Sequence, residues 1–223
     1  MATTMPKSTS EYDAGQIEIL EGLEPVRLRP GMYIGSTDIR GLHHLVYEVI
    51  DNSVDEAMAG VCDRILVTIQ ADGSVRVEDN GRGIPVKPHP KQPSKSTLEI
   101  IMTTLHAGGK FGGDGYKQGS SGLHGVGVSA VNALSEYTRV EVRREGKLHM
   151  QEYRRGVPVA PVRAVGPAVG AGTTTIFKPD LTIMETGDFQ FEALAQRIRE
   201  MAYLNRGLTL SLEIASGAMN RYP

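Results

Sequence analysis

The stretch SSGLHGVGVS, Ser120–Ser129, decides how the rest of the chain is read. Gly125, Gly127 and Ala130 match G-x-G-x-x-A, the spacing of a dinucleotide fingerprint. That fingerprint works only at the first turn of a βαβ unit, directly after a strand. Here a long glycine-rich run, residues 108–127, comes before it, and a short helical pattern, residues 126–134, follows. The phosphate-loop pattern G-x-x-x-x-G-K-[ST] is absent as well. What survives is the physics of the loop: glycines let backbone N–H groups approach a ligand, and a helix start favours an anion. A glycine-rich connection without a ligand is the plainer alternative.

Working outward, the flanking patterns argue against a doubly wound parallel sheet. Leu42, Leu45, Val46, Val49, Ile50, Val54, Ala57 and Met58 recur at helical spacing over residues 41–59, and Gly60 supplies a stop. Residues 64–70 and 74–79 read as strands joined by the Asp-Gly turn of Ala71–Gly73. The proline- and glycine-rich run 80–96 reads as loop. Ser96 and Glu99 form a capping box for a helix over 97–106. Further strands are expected at 138–144, 147–154, 159–165, 173–178 and 208–214, and helices at 17–28 and 189–204. Several strands meet through hairpins, which predicts an α+β fold: a two-layer sandwich, its sheet mixed and mostly antiparallel, with helices on one face.

Bulk composition sets limits. The 223 residues suffice for a proper core, and 40% apolar with 22% charged content is that of an ordinary globular chain. A net charge of −2 does not argue for a nucleic-acid surface. The single cysteine, Cys62, excludes an internal disulfide. No apolar run reaches the roughly 18 residues of a membrane span, and the polar start lacks a signal-peptide core. No membrane partner and a cytoplasmic location are therefore expected.

Three groups of residues carry chemistry. Glu48, Asn52 and Asp55 lie at i, i+4 and i+7, on one helical stripe. Asn52 offers a neutral oxygen suited to Mg²⁺, and Glu48, one turn away, can take a proton from water. A solvated helix face is the commoner meaning of such a stripe. In VEDNGRGIP, Asp79 ends a strand. Its carboxylate can accept from an exocyclic amine such as adenine N6 and would refuse the guanine acceptor at the matching place; an Asx turn is the bland reading. The adjacent His43 and His44 point apart on a helix and suit packing or surface roles better than a shared metal.

The ordered set is more specific than any part of it. RPGMYIG (29–35), GLHHLVYEVIDNSVDEAMAG (41–60), DNGRGIP (79–85), IMTTLHAGGKF (101–111), GLHGVGVSAVNALS (122–135) and Gly172-Thr173 occur in this order. The chain resembles the ATPase domains of the GHKL superfamily, and within it those of bacterial type IIA topoisomerases, over about residues 12–214. The resemblance implies ATP and Mg²⁺ as ligands. Glu48 would be the general base and Asn52 the Mg²⁺ ligand. Asp79 would read adenine, with Thr173 assisting through water, and Gly83, Ile84 and Pro85 would line the base pocket. Lys110 and the amides of Gly122, Leu123, His124, Gly125, Val126 and Gly127 would meet the phosphates, with Tyr116 as a lid residue. Tyr12 and Ile17 would belong to an N-terminal arm that reaches a second copy in a homodimer. Arg82, paired with Glu56, and Arg144 would form the rim that aminocoumarin inhibitors touch.

The domain plan that follows is an arm at 1–14, the ATPase domain at 15–214 and a tail at 215–223 of no assigned role. In the intact enzyme of that group the domain would act with a DNA-cleaving partner on double-stranded DNA. A chaperone or mismatch-repair clamp of the same superfamily is the rival from another class. The chain departs from the group in reading SSGLHG, with Ser121 in a glycine position, and in a lid one residue longer between Tyr116 and Leu123.

Overall fold

The computed structural model describes residues 22–105 and 127–215. In chain order the helices are α1 (Glu24–Leu28), α2 (Gly31–Ile34), α3 (Ile39–Met58), α4 (Thr97–Thr103), α5 (Gly127–Ala133) and α6 (Phe191–Leu204). The strands are β1 (Arg64–Ile69), β2 (Val75–Asp79), β3 (Pro88–His89), β4 (Gln92–Ser96), β5 (Ser135–Arg144), β6 (Lys147–Arg154), β7 (Val157–Pro158), β8 (Arg163–Pro167), β9 (Gly172–Pro179) and β10 (Thr209–Ile214).

Eight strands form one sheet in the order β10-β1-β2-β9-β5-β6-β7, with β8 paired to β6. Only β1–β10 is parallel among these pairings; the rest are antiparallel. The expected α+β sandwich with a mixed, mostly antiparallel sheet is what the chain adopts.

Alternation of period two gives the sheet one buried face. Register lines up Val77, Thr175, Val140 and Gln151 in one row, and Val75, Phe177, Thr138 and Tyr153 in the next. All eight are buried. Against this face α3 lays Leu42, Leu45, Val46, Val49 and Ile50, joined by Val131 of α5 and Leu194 and Ile198 of α6. A second cluster packs Leu98 and Met102 of α4 onto Val140, Val142 and Tyr153. The opposite face carries charge: Arg76 and Arg143 pair with Glu78, and Arg139 with Glu141.

Sequence patterning missed local detail where proline or glycine masked it. Residues 80–96 are not all loop, because β3 and β4 form a small antiparallel ribbon with an irregular register. Prolines 88, 90 and 93 hid it, since proline is tolerated in short, exposed ribbons without showing a strand period. Pro30 and Gly31, which would end the helix expected over 17–28, also start α2, with Pro30 as its N-cap. Of the helix expected over 17–28, residues 22–23 are a turn and α1 starts at Glu24, with proline in its first turn. Of the strand expected over 159–165 only residues 163–165 are extended, as the start of β8, and β7 ends before it at Pro158. The N-cap half of the α4 capping box is as read, the Ser96 hydroxyl accepting from the Glu99 amide at 3.0 Å, while Glu99 Oε2 accepts from Gln151 Nε2 at 3.0 Å. Among the described residues no helix is long and apolar enough to cross a membrane.

Candidate functional site

The site grows from the end of β2. Val75 and Val77 face the helices, so two residues on Asp79 does too. Its carboxylate is buried, 6% exposed, against α3. Three groups donate to it: the Ser53 hydroxyl to Oδ2 at 2.9 Å, and the amides of Gly81 and Thr173 to Oδ1 at 2.9 and 3.0 Å. Burial nevertheless wins and raises the carboxyl above its ordinary value, the three hydrogen bonds only moderating the shift.

Sequence reasoning missed Ser53. The signal was present: 46, 49, 50, 53 and 54 form the apolar stripe of α3, and a serine on that stripe breaks the pattern. Its hydroxyl needs a buried partner, and Asp79 is that partner.

The strand exit then turns through Gly81–Pro85. Arg82 pairs with Glu56, with Nη2–Oε1 at 2.8 Å and Nε–Oε2 at 3.0 Å, and its amide donates to Glu56 Oε2 at 3.1 Å. The expected ion pair is therefore present, though exposed on the Arg82 side. Arg144 Nη1 donates to the Gly83 carbonyl at 2.6 Å, so the two rim arginines hold the same turn. The Ile84 amide donates to the Thr173 hydroxyl at 3.3 Å, and Ile84 packs on the second apolar cluster, whereas Pro85 is exposed. Thr173 thus contacts Asp79 through its amide and the pocket loop through its hydroxyl.

Above Asp79 runs the polar stripe of α3. Asn52 Nδ2 donates to the Glu48 carbonyl at 3.0 Å, which makes Oδ1 the atom with which this side chain could ligate a hard cation. Asp55, on the same stripe, is buried. Glu48 is overlaid by the first residue of α5. A Cβ on Gly127 would collide with the Glu48 carboxylate, so a side chain there would push that carboxylate aside. His44, expected in a packing or surface role, lies one turn before Glu48, with Nδ1–Oε1 at 3.5 Å. His43 is structural, as expected. It is buried, its Nε2 accepts from the Gln190 amide at 3.0 Å, it stacks on Phe189, and burial lowers its pKa. Cys62 is buried, with its thiol pushed up by desolvation, and shows no reactive character.

Glu48, Asn52, Asp79, Arg82, Gly83, Ile84, Pro85, Gly127, Arg144 and Thr173 thus fall around one end of the sheet. Tyr12, Ile17, Lys110, Tyr116, Gly122, Leu123, His124, Gly125 and Val126 lie outside the described residues.

A sheet under one helical layer, a buried carboxylate at a strand exit and a Glu/Asn helix over it are the marks of the GHKL class of ATPase domains. The chain belongs to the histidine kinase-, DNA gyrase B- and HSP90-like ATPase family, whose model matches residues 37–183. It is 57% identical over 209 residues to the B subunit of DNA gyrase from Halalkalibacterium halodurans, covering 93% of this chain and 32% of that one. To the B subunit of DNA gyrase from Thermotoga maritima it is 59% identical over 203 residues, covering 91% and 32%. The chain therefore spans about a third of the length of these curated relatives. A solved structure of the 43K ATPase domain of Thermus thermophilus gyrase B, in complex with an aminocoumarin, matches with a TM-score of 0.76 and 47% identity, over 86% of this chain and 48% of that one.

Proposed function

We propose that this chain is the ATP-binding and ATP-hydrolysing domain of a DNA gyrase B protein, working in the cytoplasm as part of an ATP-dependent type II topoisomerase. The observation that carries the reading is the buried Asp79 carboxylate at the exit of β2, held by Ser53, Gly81 and Thr173. A desolvated acceptor fixed by three donors is preorganised for one further donor, and adenine N6 is such a donor. Identities of 57% and 59% to gyrase B proteins favour gyrase over the equivalent component of topoisomerase IV.

In this reading Asp79 accepts from adenine N6, and Thr173, Gly83, Ile84 and Pro85 border the base. Asn52 would hold Mg²⁺ through Oδ1; when bound, that ion neutralises charge on the phosphate oxygens. Glu48 takes a proton from the attacking water, with His44 beside its carboxylate. Lys110, Tyr116 and the amides of 122–127 complete the phosphate side. In the longer protein, ATP would close a homodimer through the arm that carries Tyr12 and Ile17, with DNA gyrase A and double-stranded DNA as partners. Arg82, Arg144 and Asp79 would receive aminocoumarins.

Titration calorimetry with non-hydrolysable adenine and guanine nucleotides tests the base-reading step. The adenine analogue is expected to bind and the guanine analogue to fail. Asp79→Asn should weaken the adenine analogue by about 1.5–3 kcal/mol, roughly ten- to hundred-fold, the scale of a hydrogen bond to a charged group. Equal binding of the two bases by the unmodified protein overturns the assignment.

A further inference from the structure

The backbone that carries Asp79 is held by a side chain from two strands away. The β2–β9 ladder runs to Glu78↔Thr174 and stops. The next amide on β9, that of Thr173, goes to the Asp79 carboxylate at 3.0 Å. The Asp79 backbone carbonyl is bonded instead by Arg143 Nη2, from β5, at 2.8 Å. Arg143 Nη1 meets Glu78 Oε1 at 2.9 Å, so one guanidinium grips two successive residues of the strand end.

Such a reach across an intervening strand needs a gap in that strand. Register places Gly172 of β9 opposite Arg143. A Cβ on Gly172 would collide with the Asp79 carbonyl oxygen and stand 2.7 Å from Arg143 Nη2, on the hydrogen bond itself. Its φ of 143° is also one that side-chain-bearing residues rarely adopt.

From this geometry, and resting on the reading of Asp79 as the adenine acceptor, we propose that Arg143 is a positioning residue for base recognition: by bonding the Asp79 carbonyl across Gly172 it aims the carboxylate at the exocyclic amine. The ladder bond that would orient the strand end is diverted to the carboxylate, and Arg143 replaces it from the charged face of the sheet. The residue touches no ligand and acts only through Asp79. Its neighbour Arg144 holds the Gly83 carbonyl on the following turn, so two consecutive side chains of β5 fix consecutive pieces of the pocket wall.

The test compares two nucleotides on the same protein: a non-hydrolysable ATP analogue, and the analogue with purine, which lacks the N6 amine. Only the first uses the Asp79 hydrogen bond, so the ratio of their dissociation constants isolates base reading from general pocket integrity. Arg143→Met is expected to weaken the ATP analogue roughly three- to ten-fold, the worth of about one hydrogen bond, and to leave the purine analogue unchanged. Arg143→Lys, which keeps one donor, is expected to recover part of the ratio. Where Arg143→Met is too unstable to titrate, Arg143→Gln serves, its amide being too short to span Gly172. A ratio in Arg143→Met or Arg143→Gln equal to that of the unmodified protein overturns the proposal, as does equal weakening of both ligands. If the unmodified protein itself shows no preference for the amine-bearing base, it is the reading of Asp79 that fails, a distinguishable result.

Discussion

Asp79 sets its contribution to binding against its contribution to stability. Its pKa is raised in the fold, so between the unfolded value, near 3.8, and the raised folded value the folded state binds the extra proton. The stability it contributes is therefore present at low pH and lost as pH rises through the folded pKa. Asp79→Asn, which keeps the shape and an acceptor for the Gly81 and Thr173 amides, should hold or raise the unfolding midpoint at pH 7, while adenine binding falls. Urea melts of both proteins at pH 4.5 and 7 check the sign; a deficit of Asp79→Asn relative to the unmodified protein that grows with pH contradicts it. Binding moves the other way: protonation removes the acceptor, so adenine affinity should weaken as pH falls toward 4 and guanine rejection should relax with it. At Glu48 the expectation concerns rate. In a full-length dimer Glu48→Ala should keep nucleotide affinity and lose about 10²–10⁴ in turnover, the usual worth of a positioned base. Turnover near that of the unmodified protein would remove Glu48 from the mechanism. Gly127→Ala should reproduce part of that loss without touching a titratable group, because its methyl would displace the same carboxylate.

At the scale of the element, what could be read from sequence followed how far each signal is local. α3 was legible because its apolar stripe and the stop at Gly60 sit within one run of chain, and so was the Ser96 cap of α4. That cap predicts that Ser96→Ala costs about 1 kcal/mol in global stability, within the ~0.5–2 found for lost N-caps, while Ser96→Asp is nearly neutral. Chemical denaturation of the three proteins decides it; no difference between Ser96→Ala and the unmodified protein would show that the hydroxyl contributes nothing. The candidate site was legible in the same local way. Glu48 and Asn52 share a helix face, and Asp79 stands at a strand end before two glycines. Ser53 was missed because its partner is chosen by packing: it faces Asp79, 26 residues away. The His44–Glu48 contact, at i and i+4 on one helix, was by contrast local enough to be read. Arg143 was out of reach altogether. Its role depends on β5 lying beside β9 in the register that sets it opposite Gly172, and no spacing within either strand encodes that.

At the scale of the whole molecule, β9 joins two polar nodes. Gly172 and Thr173 open the strand at the candidate site, and Asp180 follows its last residue, about 23 Å from Thr173 at strand rise. Asp180 is 1% exposed and meets Arg27 Nη2 of α1 at 2.8 Å and Arg155 Nε, after β6, at 2.9 Å. Arg27 also donates to the Ala133 carbonyl at the end of α5 at 2.6 Å, and the Asp180 amide donates to the Leu134 carbonyl at 2.9 Å. One carboxylate therefore ties α1, α5, β6 and β9 together at the end remote from the site. Burial alone would raise its pKa, but hydrogen bonds from Thr182 and Arg27 overcome that and lower it. A lowered folded pKa means that its stability is present above the unfolded value, near 3.8, and lost as pH falls through the folded one. Asp180→Asn should thus cost about 2–3 kcal/mol at pH 7, less than the ~3–5 of a fully buried broken pair because both guanidiniums keep some access to water. The gap between variant and unmodified protein should close below about pH 4. Urea melts from pH 7 down to pH 2.5 measure it, with adenine-nucleotide affinity as the companion reading at pH 7. If the two stability curves run parallel over the whole range, the ion pairs do not hold this end of the sandwich. If affinity falls as far as stability does, the two ends of β9 are coupled rather than independent.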